Sequence, residues 1–318
     1  MYFPTAQIET APWLPPLVAF SISFFTSMGG VSGAFLLLPF QMSFLGYASP
    51  SVSATNQLFN IVAIPSGVYR YYKEKRMLWP LTWIVILGTL PGVLIGAIIR
   101  VRYLPDPTKF KLFASAVLFY IGFRLVKDLL TKDRKKQAGE RARKNQEAEK
   151  QAISPSKDSE MKDQHTAPNV EVTHFSLNRL EYDFQGQSFS VSCLGIFILS
   201  LVVGVIGGVY GIGGGSIIAP FFVTVFALPV HTVAGAALMG TFVTSVAGVF
   251  FYQMVAAYYP TMSVAPDWLL GFLFGIGGTA GMYMGARCQK HVPAKAIKWL
   301  LAAIIISTAL KYLLAFFR

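Results

Sequence analysis

The sequence predicts an all-α polytopic membrane protein of two inverted-topology repeats. Each repeat holds about five hydrophobic segments, with glycine-interrupted short helices at the pseudo-two-fold centre. Three observations lead there. The 318-residue chain is 54% hydrophobic and only 13% charged, with a mean hydropathy of +0.52. A soluble domain carries about 25% charged residues. Six glycines crowd the nine positions from Gly207 to Gly215, between apolar runs 191–206 and 217–228. Each run is short of the roughly 20 residues that span a bilayer. A weaker copy, Gly29-Gly30-Val31-Ser32-Gly33-Ala34, stands before Pro39 as the glycine run stands before Pro220.

Glycine costs about 1 kcal/mol relative to Ala inside a helix, so the chain breaks at 207–215. Broken backbone at membrane depth requires a protein cover or a wet cavity. A helix restarting there aims free N–H groups and a positive dipole end at one spot, which suits an anion. Aligned on the prolines, Gly30 meets Gly211 and Gly33 meets Gly214. Further on, Ser53-Ala54-Thr55 falls opposite Val233-Ala234-Gly235. Gly92-x-x-x-Gly96-Ala97 falls opposite Gly281-x-x-x-Gly285-Ala286. The chain therefore divides into a first transmembrane repeat (1–130), a polar insert or linker (131–189) and a second repeat (190–318). Interrupted segments at matching places in two halves point to a transporter's substrate site. Small residues alone would read equally as helix packing.

Residues 1–15 read as a short exposed arm, with no basic start of the signal-peptide kind. The first helix covers about 16–28 and the second about 34–46. A third segment, 51–72, holds Asn56, Gln57 and Asn60; such groups in a span face the bundle or a cavity. The fourth, 79–100, carries Gly88, Gly92 and Gly96 at a spacing of four, which reads as close helix packing. The fifth runs 108–130. Residues 131–165 are Lys-, Arg-, Glu- and Gln-rich and cannot fold alone, though their start can extend the fifth helix as a solvated rod. Residues 169–189 alternate as a small hairpin would. The second half then offers helices at about 190–209, 215–227, 230–258, 265–287 and 293–316. Cys193 and Cys288 read as packing thiols, not a disulfide framework.

The run Gly211-Ile-Gly-Gly-Gly-Ser-Ile-Ile-Ala-Pro220, the following Leu228-Pro229-x-x-Thr232-Val233-Ala234-Gly235 and the two-half layout resemble the TauE/SafE family. That resemblance covers about 17–130 and 190–316. It is weaker in the first half, where Ser32 and Ala34 replace expected glycines. It implies a transporter exporting small sulfur-containing anions such as sulfite or organosulfonates.

The net charge of +12 is uneven: no Lys or Arg precedes Arg70, and none lies between Arg179 and Arg287. Clustered basic connections set topology and do not make a nucleic-acid surface. Connections 70–76 and 287–298 are expected inside, with the insert cytoplasmic and both termini outside, in a bacterial-type plasma membrane. Arg100, Arg102, Lys109 and Lys111 then flank an external connection, where they snorkel or draw in anions.

Between Val191 and Asp267, and over 16–69, the membrane part holds no charged residue, so the site is expected to be neutral. Its candidates are Gly30, Ser32, Gly33, Thr55, Asn56, Gln57, Gly211, Gly213, Gly214, Gly215, Ser216, Thr241, Thr244 and Ser245, with Gln253 as an outlying side chain. Each Ser or Thr could equally bond back to its own helix. His231 reads as an interfacial cap or a proton carrier. No paired carboxylates, metal-ligand spacing, Ser-His-Asp arrangement or Walker loop occurs, so neither an enzyme nor a cofactor is expected. The expected partners are a small anion and the lipid bilayer. Export by rocking one half against the other is the leading reading. An anion pore, or a scaffold or sensor working through the insert, stands beside it.

Overall fold

The computed structural model describes residues 1–29, 32–73, 77–151, 170–176, 178–184, 187–226, 228, 230–288 and 294–317. In chain order these form β1 (Tyr2–Phe3), β2 (Ile8–Glu9), α1 (Leu14–Gly29), α2 (Ala34–Ser43), α3 (Ser51–Ala63), α4 (Pro65–Lys73), α5 (Trp79–Arg102) and α6 (Pro107–Gln151). Strands β3 (Val170–Phe175), β4 (Arg179–Phe184) and β5 (Gln187–Ser192) follow. Helices α7 (Cys193–Tyr210), α8 (Gly215–Val225), α9 (Val230–Ala256), α10 (Trp268–Cys288) and α11 (Ala294–Phe316) complete the chain.

Among the described residues, five helices are long and apolar enough to cross a membrane: α5, α7 and α10 entire, and most of α9 and α11. Helices α1 and α2 are apolar but shorter. Large apolar side chains also point outward, among them Trp83 and Leu87 on α5 and Phe250 and Met254 on α9. In water that surface would be costly, whereas against lipid it is not. The chain is an integral membrane protein.

Glycine stripes decide which helices touch. A Cβ added at Gly92 or Gly96 would lie 2.4 Å from the carbonyl oxygens of Leu201 and Val205 respectively, and one at Gly204 or Gly208 would lie 2.6 Å from those of Thr89 and Val93. Helices α5 and α7 thus meet backbone to backbone. In the same way Gly277, Gly281 and Gly285 bring α10 onto α1, with added Cβ atoms 2.0, 2.2 and 2.3 Å from the carbonyls of Pro16, Phe20 and Phe24. The stripe at spacing four is a packing device in both halves. Each half's first helix therefore lies against the other half's glycine helix. Helix α3 fills the middle, against α9 and α10.

Three expectations need correction. Residues 1–15 are not an exposed arm. Strands β1 and β2 pair antiparallel, Phe3, Ala6 and Ile8 turn inward, and the Ala6 N–H donates to Asp267 Oδ2 at 3.1 Å. The third segment is not continuous. It divides at Ile64, because Pro65 supplies no N–H to carry the helix on. Residues 170–192 form three antiparallel strands in the order β3-β4-β5, not a hairpin. Strand β5 takes the residues expected to open the next helix, and Ser192 caps α7 by accepting the Gly195 N–H at 3.2 Å. The Tyr182 hydroxyl, 3.0 Å from Thr232 Oγ1, fastens this sheet to the start of α9.

Candidate functional site

Helix α7 stops at Tyr210 because Gly211 and Gly213 take left-handed backbone, with φ of 83° and 73°. A Cβ at Gly211 would sit 2.3 Å from the Ser53 carbonyl oxygen, so the turn is pressed against α3. The end of a helix leaves its last carbonyls without partners. Here those of Gly207, Gly208 and Val209 find partners, as do the two carbonyls of the turn that follows. Gly207 O accepts the N–H groups of Gly211 (2.8 Å) and Ile212 (3.1 Å). Gly208 O accepts the Tyr252 hydroxyl at 2.9 Å, and Val209 O the Ser53 hydroxyl at 2.9 Å. Asn56 Nδ2 donates to Gly211 O at 3.1 Å, and Asn60 Nδ2 to Ile212 O at 2.9 Å. Ser53, Asn56 and Asn60 stand at i, i+3 and i+7 of α3, on one face.

The same face reaches the first break. Asn56 Nδ2 also donates to Ala34 O in the opening turn of α2, at 3.1 Å. Pro39 has no N–H for the carbonyl one turn before it, Phe35 O. The Tyr210 hydroxyl fills that acceptor at 3.0 Å. Ser32 Oγ accepts the Ala34 N–H at 3.4 Å, and Gly33 leaves room for Ser23, whose Oγ would lie 2.9 Å from an added Cβ.

On the far side, α9 lines the start of α8. Thr244 Oγ1 donates to Gly240 O at 2.6 Å, which frees a lone pair for the Gly214 N–H at 3.2 Å. Ser245 Oγ accepts from Asn60 Nδ2 at 3.3 Å. Thr241 bonds back to Ala237 O at 2.8 Å. Gly215 sits so tightly on α9 that an added Cβ would lie 2.0 Å from Ala237 O.

The structure thus gathers Ser32, Gly33, Asn56, Gly211, Gly213, Gly214, Gly215, Thr241, Thr244 and Ser245 around α3. Ser216 continues into α8. Gly30 lies outside the described residues. Thr55 is elsewhere: its hydroxyl meets the Tyr47 hydroxyl (2.8 Å) and accepts the Asp267 N–H (2.9 Å). Gln253 is exposed on α9. Gln57 is fully buried against Gly248, and among the described residues neither of its polar atoms has a partner. Asn60 Oδ1 and Gln41 Oε1 are likewise buried and unpartnered. Gly211 to Gly215 are buried, so the site is closed by protein.

Two expectations fail here. The amide of Gly214 is not bare, since Thr244 takes it. Nor are the surroundings wholly neutral, because Arg100 does not snorkel. It is fully buried, donates through Nε to Ser53 Oγ at 3.3 Å, through Nη2 to Ala48 O at 3.2 Å and through Nη1 to Leu104 O, and lies 3.7 Å from the Phe110 ring centroid. Sequence reasoning missed Arg100, Ser53, Asn60, Tyr210 and Tyr252 as parts of the site. The polar stripe Ser53-Asn56-Asn60 was a readable signal. The two tyrosines carried none.

Among the described residues no three of His, Cys, Asp or Glu come together as metal ligands would. The family model described as sulfite exporter TauE/SafE matches residues 16–312. The probable membrane transporter protein YdhB of Bacillus subtilis (strain 168) is 25% identical over 122 residues, 38% of this chain and 46% of that protein. The probable membrane transporter protein YunE of the same strain is 26% identical over 140 residues, 43% of this chain and 48% of that protein. The chain thus spans about half the length of the curated relatives it matches. No solved structure matches it. The family match takes in both breaks, both glycine stripes and the polar face of α3, and by it the chain belongs to the sulfite exporter TauE/SafE family of membrane transporters.

Proposed function

We propose that this protein is a secondary transporter that exports a small sulfur-containing anion, of the sulfite or organosulfonate class, by alternating access. Membership of the family and the printed names of the two relatives support transport. One observation carries the site. The carbonyls of Gly208, Val209, Gly211 and Ile212 at the end of α7 are taken by donors from α3 and α9, while α8 begins beside them with its Gly214 N–H on Thr244 Oγ1. What is left at the break has positive sign, as a helix start has. Substrate anions are drawn there by the positive end of α8, beyond the Gly214 amide that Thr244 takes.

The exchange of partners, α1 with α10 and α7 with α5, supports an inverted repeat about α3 and α9. It also supports a particular division into moving bodies. Backbone contacts tie helices of different halves together, so the sliding surfaces lie between the α1–α10 pair and the α5–α7 pair. The closed site is the occluded state between outward and inward openings. The basic connections support a cytoplasmic insert and external termini, in a bacterial-type plasma membrane.

The test is flux in proteoliposomes loaded with radiolabelled sulfite. A saturable efflux is expected, stimulated by sulfite on the opposite side. An imposed potential assists it by about 2.3 kcal/mol per charge per 100 mV. Efflux that never saturates makes the protein a pore. Absence of flux for sulfite and for organosulfonates alike overturns the substrate class.

A further inference from the structure

We infer that Arg100, with the first turn of α3, forms an anion-binding station next to the glycine break, and that its ligand is a small oxyanion. The inference rests on the transport reading above and adds a charged residue to it. Arg100 is the largest of the fully buried side chains, and its helix α5 lies within the membrane part. A guanidinium is always charged and strongly disfavoured in a dry interior without a counter-charge. Among the described residues Arg100 meets only neutral acceptors: Ser53 Oγ, Ala48 O, Leu104 O and the face of Phe110. Asp267 is not its partner. It commits Oδ2 to the Ala6 N–H and Oδ1 to the Leu270 N–H, capping α10.

A second observation sharpens the first. Ser53 belongs to the opening turn of α3, where the helix dipole is positive and the helix itself carries no acidic residue. Two positive ends are thus buried together, at mutual cost, unless an anion joins them. The guanidinium has five N–H groups and the three contacts here use three of them. Its planar fork matches the oxygens of a sulfite or sulfonate group. Through Ser53 Oγ, which also donates to Val209 O, the charge stands one hydroxyl away from the end of α7. Structural tying alone would not require this charge. The glycine alignment puts Gln289, not a cation, at the matching place of the second half.

The purified full-length protein in detergent tests this. Thermal unfolding is followed against rising sulfite, sulfate and chloride for the unaltered chain and for Arg100→Lys, Arg100→Gln and Ser53→Ala. The unaltered protein is expected to be stabilised by sulfite. Arg100→Gln should lose the sulfite dependence, Arg100→Lys should need at least tenfold more anion, and Ser53→Ala should fall between. A purely structural arginine would lower the melting temperature and leave the anion dependence unmoved. That outcome overturns the station while leaving the transport reading intact. If Arg100→Gln does not fold, Arg100→Lys and Ser53→Ala decide the matter: unchanged sulfite affinity in both overturns the station. An unaltered protein indifferent to all three anions removes both the station and the proposed substrate class.

Discussion

Asn56 Nδ2 lies 3.1 Å from Gly211 O and 3.1 Å from Ala34 O, so one amide of α3 holds the backbone of both helix breaks. Its oxygen accepts from Gln41 Nε2 at 3.4 Å. The orientation of the amide follows from the two carbonyls, since only an NH₂ group can face both.

Replacing Asn56 with Ala orphans Gly211 O in a dry interior and leaves Ala34 O with its helix partner alone. The orphaned carbonyl costs about 1–3 kcal/mol. Asn56→Asp, nearly the same shape, should be worse, because it sets an oxygen against two oxygens. Thermal unfolding in detergent and sulfite efflux should both fall in the order Asn, Ala, Asp.

Gly211→Ala should abolish transport and destabilise the fold. The left-handed backbone costs an L-residue about 1–2 kcal/mol, and the 2.3 Å approach to the Ser53 carbonyl must be relieved by shifting α3. The control is Gly67→Ala on α4, whose added Cβ finds only Leu238 at 3.6 Å. It should be neutral, or stabilising by up to about 1 kcal/mol. Efflux rates and melting temperatures separate the two.

Gly92→Ala and Gly281→Ala should each destabilise by about 1–3 kcal/mol, as overpacking does. The obstacle in both is a backbone carbonyl, which cannot swing aside. Gly122→Ala should be milder. Its nearest obstacle, 2.6 Å away, is the flexible side chain of Ile306 on α11. Melting temperatures of the three variants should rank accordingly.

Burial pushes the Tyr182 phenol above its ordinary 10.0, and the hydrogen bond to Thr232 pulls part of that rise back. The folded sheet therefore prefers the neutral phenol. Its contribution is complete below pH 10.0, the unfolded value, and is lost as pH rises through the higher folded value. Hydrogen exchange of β4 should accelerate across that window in the unaltered protein. Tyr182→Phe should lose about 0.5–1.5 kcal/mol of docking at neutral pH and show no extra acceleration from phenol ionisation.

Local chemistry was legible in the sequence and tertiary placement was not. The break at Gly207–Gly215 announced itself, because glycine density and span length are properties of consecutive residues. The stripes at Gly92-Gly96 and Gly281-Gly285 were readable as packing for the same reason. Asn56 was readable as a site residue because an amide at mid-membrane needs partners. Arg100 was misread. Its place near a helix end fits snorkelling, and only the position of Ala48, Leu104 and Phe110 from other segments buries it. The N-terminal hairpin escaped notice because Phe3, Ala6 and Ile8 acquire an inside only when residues 263–267 arrive beneath them. Thr55 was one residue from the right face: α3 turns it toward Tyr47 and Asp267 while Asn56 takes the breaks.

The glycine seams join α1 to α10 and α5 to α7, each crossing the divide between the two sequence halves. Neither half owns a complete hydrophobic partner set. A gene cut at the insert would yield two fragments that must find one another before either is solid. With the seams interlocked in this way, the parts of the chain before and after the insert are expected to become solid only together.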